Sequence, residues 1–291
     1  MDQYRDLYIG DTIKELRFHF GISQKDLASG ICTQSLISQI ENESIVPNSI
    51  LLKQIAYKLG ISLDSLFLMA EYPKFNFVQN FRELVTKHIV NNDYFDALKL
   101  LKLQTNKSSL KKGNMYQFVL WAEGVCVYYE QKNTSRSIQI LNAALNLSDS
   151  LIFSFQDAQI LNSLAIIHAE EGKLKQSIGY FEKIVSIHDK LPFLTLNPLL
   201  TKVYYNLAKV LTLQELYEKS IDYCHVGISR SLKDESISNL GELYYQLGVN
   251  HEKMGNVNES IEWYQKSKSI LDMKIPNDRV SIVNEKLSKL C

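Results

Sequence analysis

The sequence predicts an all-α protein: an N-terminal helix-turn-helix domain followed by a right-handed superhelix of paired helices. Only 12 Gly and five Pro interrupt 291 residues, which favours long helices over an all-β fold with many turns. Residues 1–70 carry cap and turn signals for five short helices, whereas the later sequence repeats one motif at a nearly constant spacing. We therefore predict a helix-turn-helix domain at 1–70, a linker at 71–76 and a repeat array at 77–291.

The five short helices of 1–70 are predicted from their capping and turn residues. Polar N-caps begin the second, third and fourth helices, and glycines end the first and the fourth. These residues are Ser23, Thr33, Asn48 or Ser49, Gly21 and Gly60. A tight turn at 30–32 separates the second helix from the third, and a fifth helix covers 63–70. This order describes a helix-turn-helix domain.

The third helix has the side chains of a DNA-groove reader on one face. Leu36, Ile37 and Ile40 recur at helical spacing and should pack inward. The polar residues left outside are neutral donors and acceptors, which suit base edges and phosphates in a major groove. The predicted DNA-binding residues are Thr33, Gln34, Ser35, Ser38 and Gln39 here, and Gln24 and Lys25 at the start of the second helix. Gln24 is placed to reach a phosphate beside the N-terminus of that helix. A solvated helix in a protein-binding domain is the alternative interpretation, and Glu41 is expected to brace the domain internally.

The charge of this domain predicts that it works in pairs. Residues 1–70 hold six Lys and Arg against eight Asp and Glu, a net charge of −2, and the whole chain is neutral. Because neutralised phosphates supply most nonspecific affinity, a single copy should bind DNA weakly. A homodimer that places two copies on the half-sites of a palindromic double-stranded operator would compensate.

The chain after residue 75 repeats a small residue followed by an aliphatic one. The small residue falls at 97, 137, 177, 220 and 260, in steps of 40, 40, 43 and 40. Ala165, Ala208 and Gly248 stand twelve positions before the last three, so paired helices can approach closely. This is the tetratricopeptide (TPR) pattern, although its usual unit is about 34 residues. It predicts five helix pairs and a final capping helix at 278–290, with Phe181, Tyr223 and Tyr264 filling gaps between paired helices.

The first helices of such pairs line a concave groove that binds extended peptides. Asn206 and Gln246 each lie fourteen residues before the small residue of their repeat, and Asn162 lies fifteen before. A ladder of amides can hold a peptide backbone, because each amide offers a donor and an acceptor. The predicted peptide-binding residues are Asn162, Tyr205, Asn206, Glu242 and Gln246, with Gln117 and Trp121 as further candidates. A solvated helix surface is the alternative for any one amide taken singly.

Two segments carry a resemblance to known proteins. Residues 22–28 (Ile-Ser-Gln-Lys-Asp-Leu-Ala) and 34–42 resemble the phage-repressor (Xre/Cro-like) DNA-binding domain. With the TPR array, nearly the whole chain resembles the RRNPP family of peptide-responsive regulators of Gram-positive bacteria, and within it the PlcR-like members. The resemblance implies a dimeric transcription factor, which we expect to be an activator, whose array binds a short quorum-sensing-type signalling peptide.

The resemblance also implies roles for particular residues. Asn206 matches an asparagine that holds the main chain of the peptide, whereas Val90 and Asn92 stand where PlcR-like receptors carry lysines. A pivot between domain and array is expected at 71–73, where Pro73 discourages a continuous helix. An adaptor whose array binds a partner protein, rather than a peptide, is the alternative function.

Other chemistries lack a signal in the sequence. There is no glycine-rich phosphate loop, HExxH or G-x-S-x-G motif, and the six His and four Cys show no metal-ligand spacing. We therefore expect no enzyme activity, no metal and no cofactor. No window approaches the ~20 apolar residues that a membrane helix needs, and no signal peptide is present, so the cytoplasm is the expected location.

Overall fold

The computed structural model describes residues 8–70, 75–104, 113–148, 153–190, 199–273 and 279–290, and within these ranges the chain forms sixteen α-helices and no strand. The helices are α1 (Ile9–His19), α2 (Gln24–Ala28), α3 (Gln34–Glu41), α4 (Ser49–Lys58), α5 (Leu63–Ala70), α6 (Phe75–Val90), α7 (Tyr94–Gln104), α8 (Gly113–Gln131), α9 (Thr134–Leu145), α10 (Phe155–Glu170), α11 (Leu174–Lys190), α12 (Leu199–Leu213), α13 (Tyr217–Lys233), α14 (Leu240–Lys253), α15 (Val257–Leu271) and α16 (Arg279–Leu290). The all-α prediction is confirmed. The chain divides into two compact units, Met1–Lys112 and Gly113–Cys291.

The first five helices enclose one apolar core in the first unit. Its fully buried side chains come from all five helices and include Ile13, Leu27, Ile37, Ile55 and Leu66. The predicted caps form: the side chains of Ser23, Thr33 and Asn48 each accept a hydrogen bond from a backbone N–H in the first turn of α2, α3 and α4. Asn48, and not Ser49, is therefore the cap of α4.

A close approach between α1 and α3 depends on Gly10. A methyl group at this position would lie 2.2 Å from the backbone oxygen of Ile40, which cannot move without disturbing α3. Glycine is therefore required here for packing rather than for backbone freedom, and it sets the position of α3 against α1.

The helices α6 and α7 form the first helix pair, and they belong to the first compact unit. The division between the compact units falls after Lys112, whereas the sequence places the domain boundary at 71–76. Within that predicted linker the structure describes only the start of α6, and the predicted pivot at Glu71-Tyr72-Pro73 lies outside the described residues.

The second unit consists of the pairs α8–α9, α10–α11, α12–α13 and α14–α15, followed by α16. Buried serines at the repeated small position hold three of these pairs together. Their hydroxyls donate to the backbone oxygen of a residue on the preceding helix, in the pairs Ser137 to Gly124 (2.7 Å), Ser220 to Ala208 (2.7 Å) and Ser260 to Gly248 (2.9 Å). The small residue thus permits close approach and also satisfies a carbonyl that the approach buries.

Large side chains fill the space beside these serines, as predicted. Phe181 and Tyr264 are fully buried, as expected. Tyr223 is only half-buried, and Cys224 takes the buried position in its repeat. Tyr223 still fills space between the paired helices, because its ring stacks on Tyr204 of α12 with the ring centroids 6.2 Å apart. It is less buried than Cys224 because the buried position lies four residues after the serine, one helical turn along, and Tyr223 lies three after it.

Candidate functional site

The outer face of α3 presents polar side chains to solvent. The predicted DNA-contacting residues of this face that are exposed are Thr33, Gln34, Ser35 and Gln39. Ser38 is half-buried. On the opposite face, Ile37 and Ile40 are buried in the core. The structure therefore brings these polar residues together on one rigid surface, which the core anchors from behind.

A buried ion pair fixes α3 to α1. The Arg17 guanidinium donates to both carboxylate oxygens of Glu41, from Nε at 2.6 Å and from Nη2 at 2.9 Å, and its Nη1 donates to the backbone oxygen of Ile22 at 2.9 Å. Gln24 Nε2 donates to the same carboxylate at 2.9 Å. Glu41 is thus an internal brace, as expected, and the amide nitrogen of Gln24, predicted to reach a phosphate, is committed to this brace.

The electrostatics of this brace follow from its burial. Burial opposes the charge on Glu41, but hydrogen bonds from Arg17 and Gln24 outweigh it, so the pKa of Glu41 is lowered from its usual range. The hydrogen bond to Glu41 in turn raises the pKa of Arg17. Both groups stay charged at neutral pH. Lys25, the other predicted residue of α2, is exposed to solvent.

Two of the predicted amides meet in the second unit. Asn206 Nδ2, on α12, donates to Asn162 Oδ1, on α10, at 3.2 Å. Asn162 is buried, whereas Asn206 is half-exposed and can offer its carbonyl oxygen to a ligand. The repeat register that predicted an amide ladder therefore brings these two side chains together.

Gln246 belongs to a different arrangement, a directional chain of hydrogen bonds inside the second unit. Gln246 Nε2 donates to Thr212 Oγ1 at 2.6 Å, and Thr212 Oγ1 donates to Asn250 Oδ1 at 2.6 Å. Asn250 Nδ2 then donates to Ser220 Oγ at 2.8 Å, and Ser220 donates to Ala208. This polar chain links α12, α13 and α14, and it uses a donor of Gln246 that was predicted to hold peptide.

Of the remaining two predicted residues, Glu242 contacts a cation that the sequence did not reveal. Arg279 Nη1, on α16, donates to Glu242 Oε1 at 2.7 Å. Tyr205 is half-buried, and burial raises the pKa of its phenol, which also lies in the electrostatic field of Arg279 and Glu242. Glu242 thus ties α14 to α16, and Tyr205 packs against the apolar cluster shared by α12, α13 and α14.

The further groove candidates on α8 are buried and have internal partners. Gln117 Nε2 donates to Asp157 Oδ1 at 2.7 Å, and Trp121 Nε1 donates to Ser163 Oγ at 2.9 Å. Both contacts join α8 to α10. Gln117 and Trp121 are therefore packing residues between successive first helices, and the prediction that they line a groove is wrong, because each is at most 5% exposed.

No other reactive centre stands out in the described part of the chain. No group of three or more His, Cys, Asp or Glu there could hold a metal ion. Burial raises the pKa of the Cys32 thiol, and it raises the pKa of Cys126 to about 12, so these thiols are poor nucleophiles. No helix within the described ranges is both long and apolar enough to cross a lipid bilayer.

Comparison with protein families matches both parts of the chain. The family model for the RNPP family C-terminal domain matches residues 90–289, and a helix-turn-helix domain model matches residues 10–72. No curated protein matches the chain. The two family matches together leave few residues of the chain outside them.

Solved structures match over the whole length. The crystal structure of Bacillus thuringiensis PlcR in complex with the peptide PapR7 and DNA is 28% identical, covers 97% of this chain and 98% of its own, and has a TM-score of 0.80. The apo form of the same protein is 26% identical, with the same coverage and a TM-score of 0.65. The Streptococcus dysgalactiae SHP pheromone receptor Rgg2 is 16% identical, covers 97% of this chain and 100% of its own, and has a TM-score of 0.63, which shows a shared fold.

Proposed function

This chain belongs to the RNPP family, also written RRNPP, and on that basis we propose that it is a DNA-binding transcriptional regulator controlled by a short signalling peptide. The observation that carries the proposal is the full-length similarity to PlcR, which was crystallised with both a peptide and DNA. Membership of this family favours a regulator over an enzyme. A protein that acts on DNA in this way works in the cytoplasm.

The exposed face of α3 supports the DNA-binding half of the proposal. In a helix-turn-helix protein the second helix of the motif enters the major groove and its outward side chains contact base edges. Gln34 and Gln39 can each donate and accept at a base edge, while the Arg17–Glu41 pair holds α3 against α1. We assign Lys25 to a phosphate, and Gln24 to orienting Glu41.

The charge of residues 1–70 supports a homodimer on a palindromic operator. With a net charge of −2, one copy neutralises few phosphates, so two copies on half-sites about one helical turn apart supply the affinity. We further propose that the helix-turn-helix domain is 1–70, that the array begins at 77, and that the protein activates transcription.

The second unit supports the peptide-binding half. Asn206 is half-exposed and oriented by Asn162, and the half-buried Tyr205 lies one residue before it on α12. A peptide bound there switches the regulator only if it prefers the DNA-competent arrangement. A preference of about ten- to a hundredfold, or ~1.4–2.8 kcal/mol, would regulate transcription usefully.

Operator binding tests the DNA-binding half. Genome-wide mapping of bound DNA identifies the operator, and binding is then measured by fluorescence anisotropy at several salt concentrations. Gln34→Ala should weaken binding to the operator by about 1–3 kcal/mol and leave binding to unrelated DNA unchanged. Lys25→Gln should weaken binding to all sequences and lower the salt slope by about one unit. Gln139→Ala, at an exposed glutamine of α9, is the matched control and should change neither.

The peptide-binding half is tested by calorimetry and operator binding with synthetic peptides encoded beside the gene. A cognate peptide should bind and change operator affinity by about tenfold or more. An operator affinity that stays constant over a full titration would show that peptide control is wrong. Binding of a folded partner protein, with no peptide binding, would instead favour the adaptor alternative.

A further inference from the structure

We propose that α13 carries a binding site for a small phosphorylated molecule, a phosphate monoester. The site consists of His225, Ser229, Arg230 and Lys233, which we call the α13 anion site. α13 is the second helix of its pair, whereas Asn206, which we assign to the peptide, lies on a first helix. The inference therefore goes beyond the proposed function and does not depend on it.

An open cavity of about 430 Å³ lies along the C-terminal half of α13. The described residues that line it are the four residues of the α13 anion site and Val226. His225, Ser229 and Lys233 are spaced four residues apart, and Val226 and Arg230 form a neighbouring row, so all five share one face of the helix. The volume lies in the range of small-molecule sites, about 300–1,000 Å³.

Arg230 stands where the other repeats carry an aliphatic residue. It lies ten residues after Ser220, and the same position in the other three pairs of the second unit holds Leu147, Ile187 and Ile270. The two isoleucines are half-buried, as Arg230 is. Packing between helices therefore favours an aliphatic side chain here, and an arginine at this position indicates a different role.

The guanidinium of Arg230 lacks a hydrogen-bond acceptor within the described ranges. Its Nε is buried and donates to no acceptor, and the nearby Asp234 Oδ2 lies 3.9 Å from it, too far for a hydrogen bond. Arg17, in contrast, donates three hydrogen bonds. The dipole of α13 favours cations in its last turn, but it does not require a half-buried arginine without an acceptor. An anion in the cavity would supply acceptors to this guanidinium.

The other members of the α13 anion site are exposed donors. Within the described ranges, neither Ser229 Oγ nor Lys233 Nζ has a hydrogen bond or an ion pair. The ring of His225 contacts Trp263 edge-on, with the ring centroids 5.9 Å apart, and this contact leaves its nitrogens free to donate. No carboxylate is among the described residues that line the cavity. The cavity therefore offers several donors and positive charge to one ligand.

A phosphate monoester matches these groups better than a carboxylate does. It presents three terminal oxygens and carries about −1.5 to −2 charge at neutral pH, whereas a carboxylate presents two oxygens and a single charge. The planar guanidinium of Arg230 can donate to two of the oxygens, and Lys233 and Ser229 can donate to the third. Val226, 46% exposed, provides an apolar surface for the rest of the molecule.

The test measures the binding of matched compounds to the full-length protein by ligand-observed NMR titration at low ionic strength. Glucose 6-phosphate is compared with glucose, and adenosine monophosphate with adenosine. Each phosphorylated compound should bind at least about tenfold more tightly than its neutral partner, because charge-assisted hydrogen bonds form only to the phosphate. Glucuronate is the carboxylate control, and binding of glucuronate as tight as that of glucose 6-phosphate would show that the assignment to phosphate is wrong.

Variants then locate the preference on the α13 anion site. Arg230→Gln should reduce the tenfold preference to about twofold or less, whereas Arg230→Lys, which keeps the charge but loses the planar set of donors, should retain part of it. Asp234→Asn should tighten the binding of the phosphorylated compounds about threefold, because it removes a carboxylate 3.9 Å from Arg230. Lys219→Gln, at an exposed lysine in the first turn of α13, is the matched control and should keep the full preference.

The outcomes separate this inference from the proposed regulatory function. If phosphorylated and neutral compounds bind equally, or if neither binds, the α13 anion site is wrong and the regulatory function stands. The same holds if the preference survives in Arg230→Gln. Peptide binding should be unchanged in Arg230→Gln, and its loss in that variant would show that Arg230 belongs to the peptide site instead.

Discussion

Replacing Glu41 with glutamine tests the ion pair that joins α1 to α3. The substitution keeps the size of the side chain and removes its charge, so the Arg17 guanidinium, 9% exposed, is left without its carboxylate. Breaking a buried pair by neutralising one partner typically costs about 3–5 kcal/mol, mostly because the other charge remains buried. A loss of this size is a large part of the stability of a domain of this length.

Amide hydrogen exchange read by mass spectrometry measures this loss where it occurs. Peptides that cover α1 to α3 should lose about two to three and a half orders of magnitude in protection. Glu15→Gln, at an exposed glutamate of α1, is the control and should change protection little. The double variant Arg17→Met, Glu41→Leu should recover at least about half of the loss, because neither charge is then buried alone.

The pH dependence provides a second readout of the same pair. Because the folded pKa of Glu41 is lowered, its contribution to stability is fully present above the unfolded value of about 4.3 and is lost as pH falls through the folded value. Wild-type protection across α1 to α3 should therefore fall in acid, and Glu41→Gln should flatten that fall. A loss of protection below about fivefold in Glu41→Gln at neutral pH would refute the reasoning, since it would mean that water screens the pair.

Two more predictions concern the packing of the second unit. A methyl group at Gly248 would lie 2.6 Å from the ring of Tyr264, so Gly248→Ala should lower the free energy of unfolding by about 1–3 kcal/mol, measured by urea denaturation. Gly179→Ala is the control, because a methyl group there meets nothing within 4 Å, and it should stabilise α11 by up to about 1 kcal/mol. Equal effects of Gly248→Ala and Gly179→Ala would contradict the close packing of Gly248 against Tyr264. Thr212→Val should lower the free energy of unfolding by about 1–3 kcal/mol, because it leaves the buried amide donor of Gln246 without an acceptor. An unchanged melting temperature would show that another acceptor replaces the hydroxyl.

The helical elements and the family were accessible from the sequence because their signals are local. Thr33 and Asn48 cap helices through backbone groups within three residues of themselves. The repeated small residue marks one contact that recurs every forty residues or so, and no knowledge of the tertiary structure is needed to see it. The exposed face of α3 follows in the same way, because the periodicity of Ile37 and Ile40 assigns the opposite face to solvent.

The availability of individual polar groups was decided only by the tertiary structure. Gln24 bonds to Glu41, Gln117 to Asp157 and Gln246 to Thr212, and these partners are 17, 40 and 34 residues apart in the chain. Helical periodicity indicates which way a side chain faces, but it does not indicate what another helix places opposite.

The contact between Arg279 and Glu242 is a second example that the sequence does not predict. The two lie 37 residues apart, and α16 carries no copy of the repeated motif that could have aligned them. The sequence by itself determined the helices, their caps and the faces they bury, because local bonds and periodic burial encode them. Which amides, carboxylates and cations remain free to meet a ligand depended on contacts between distant helices, and the folded chain alone brings those together.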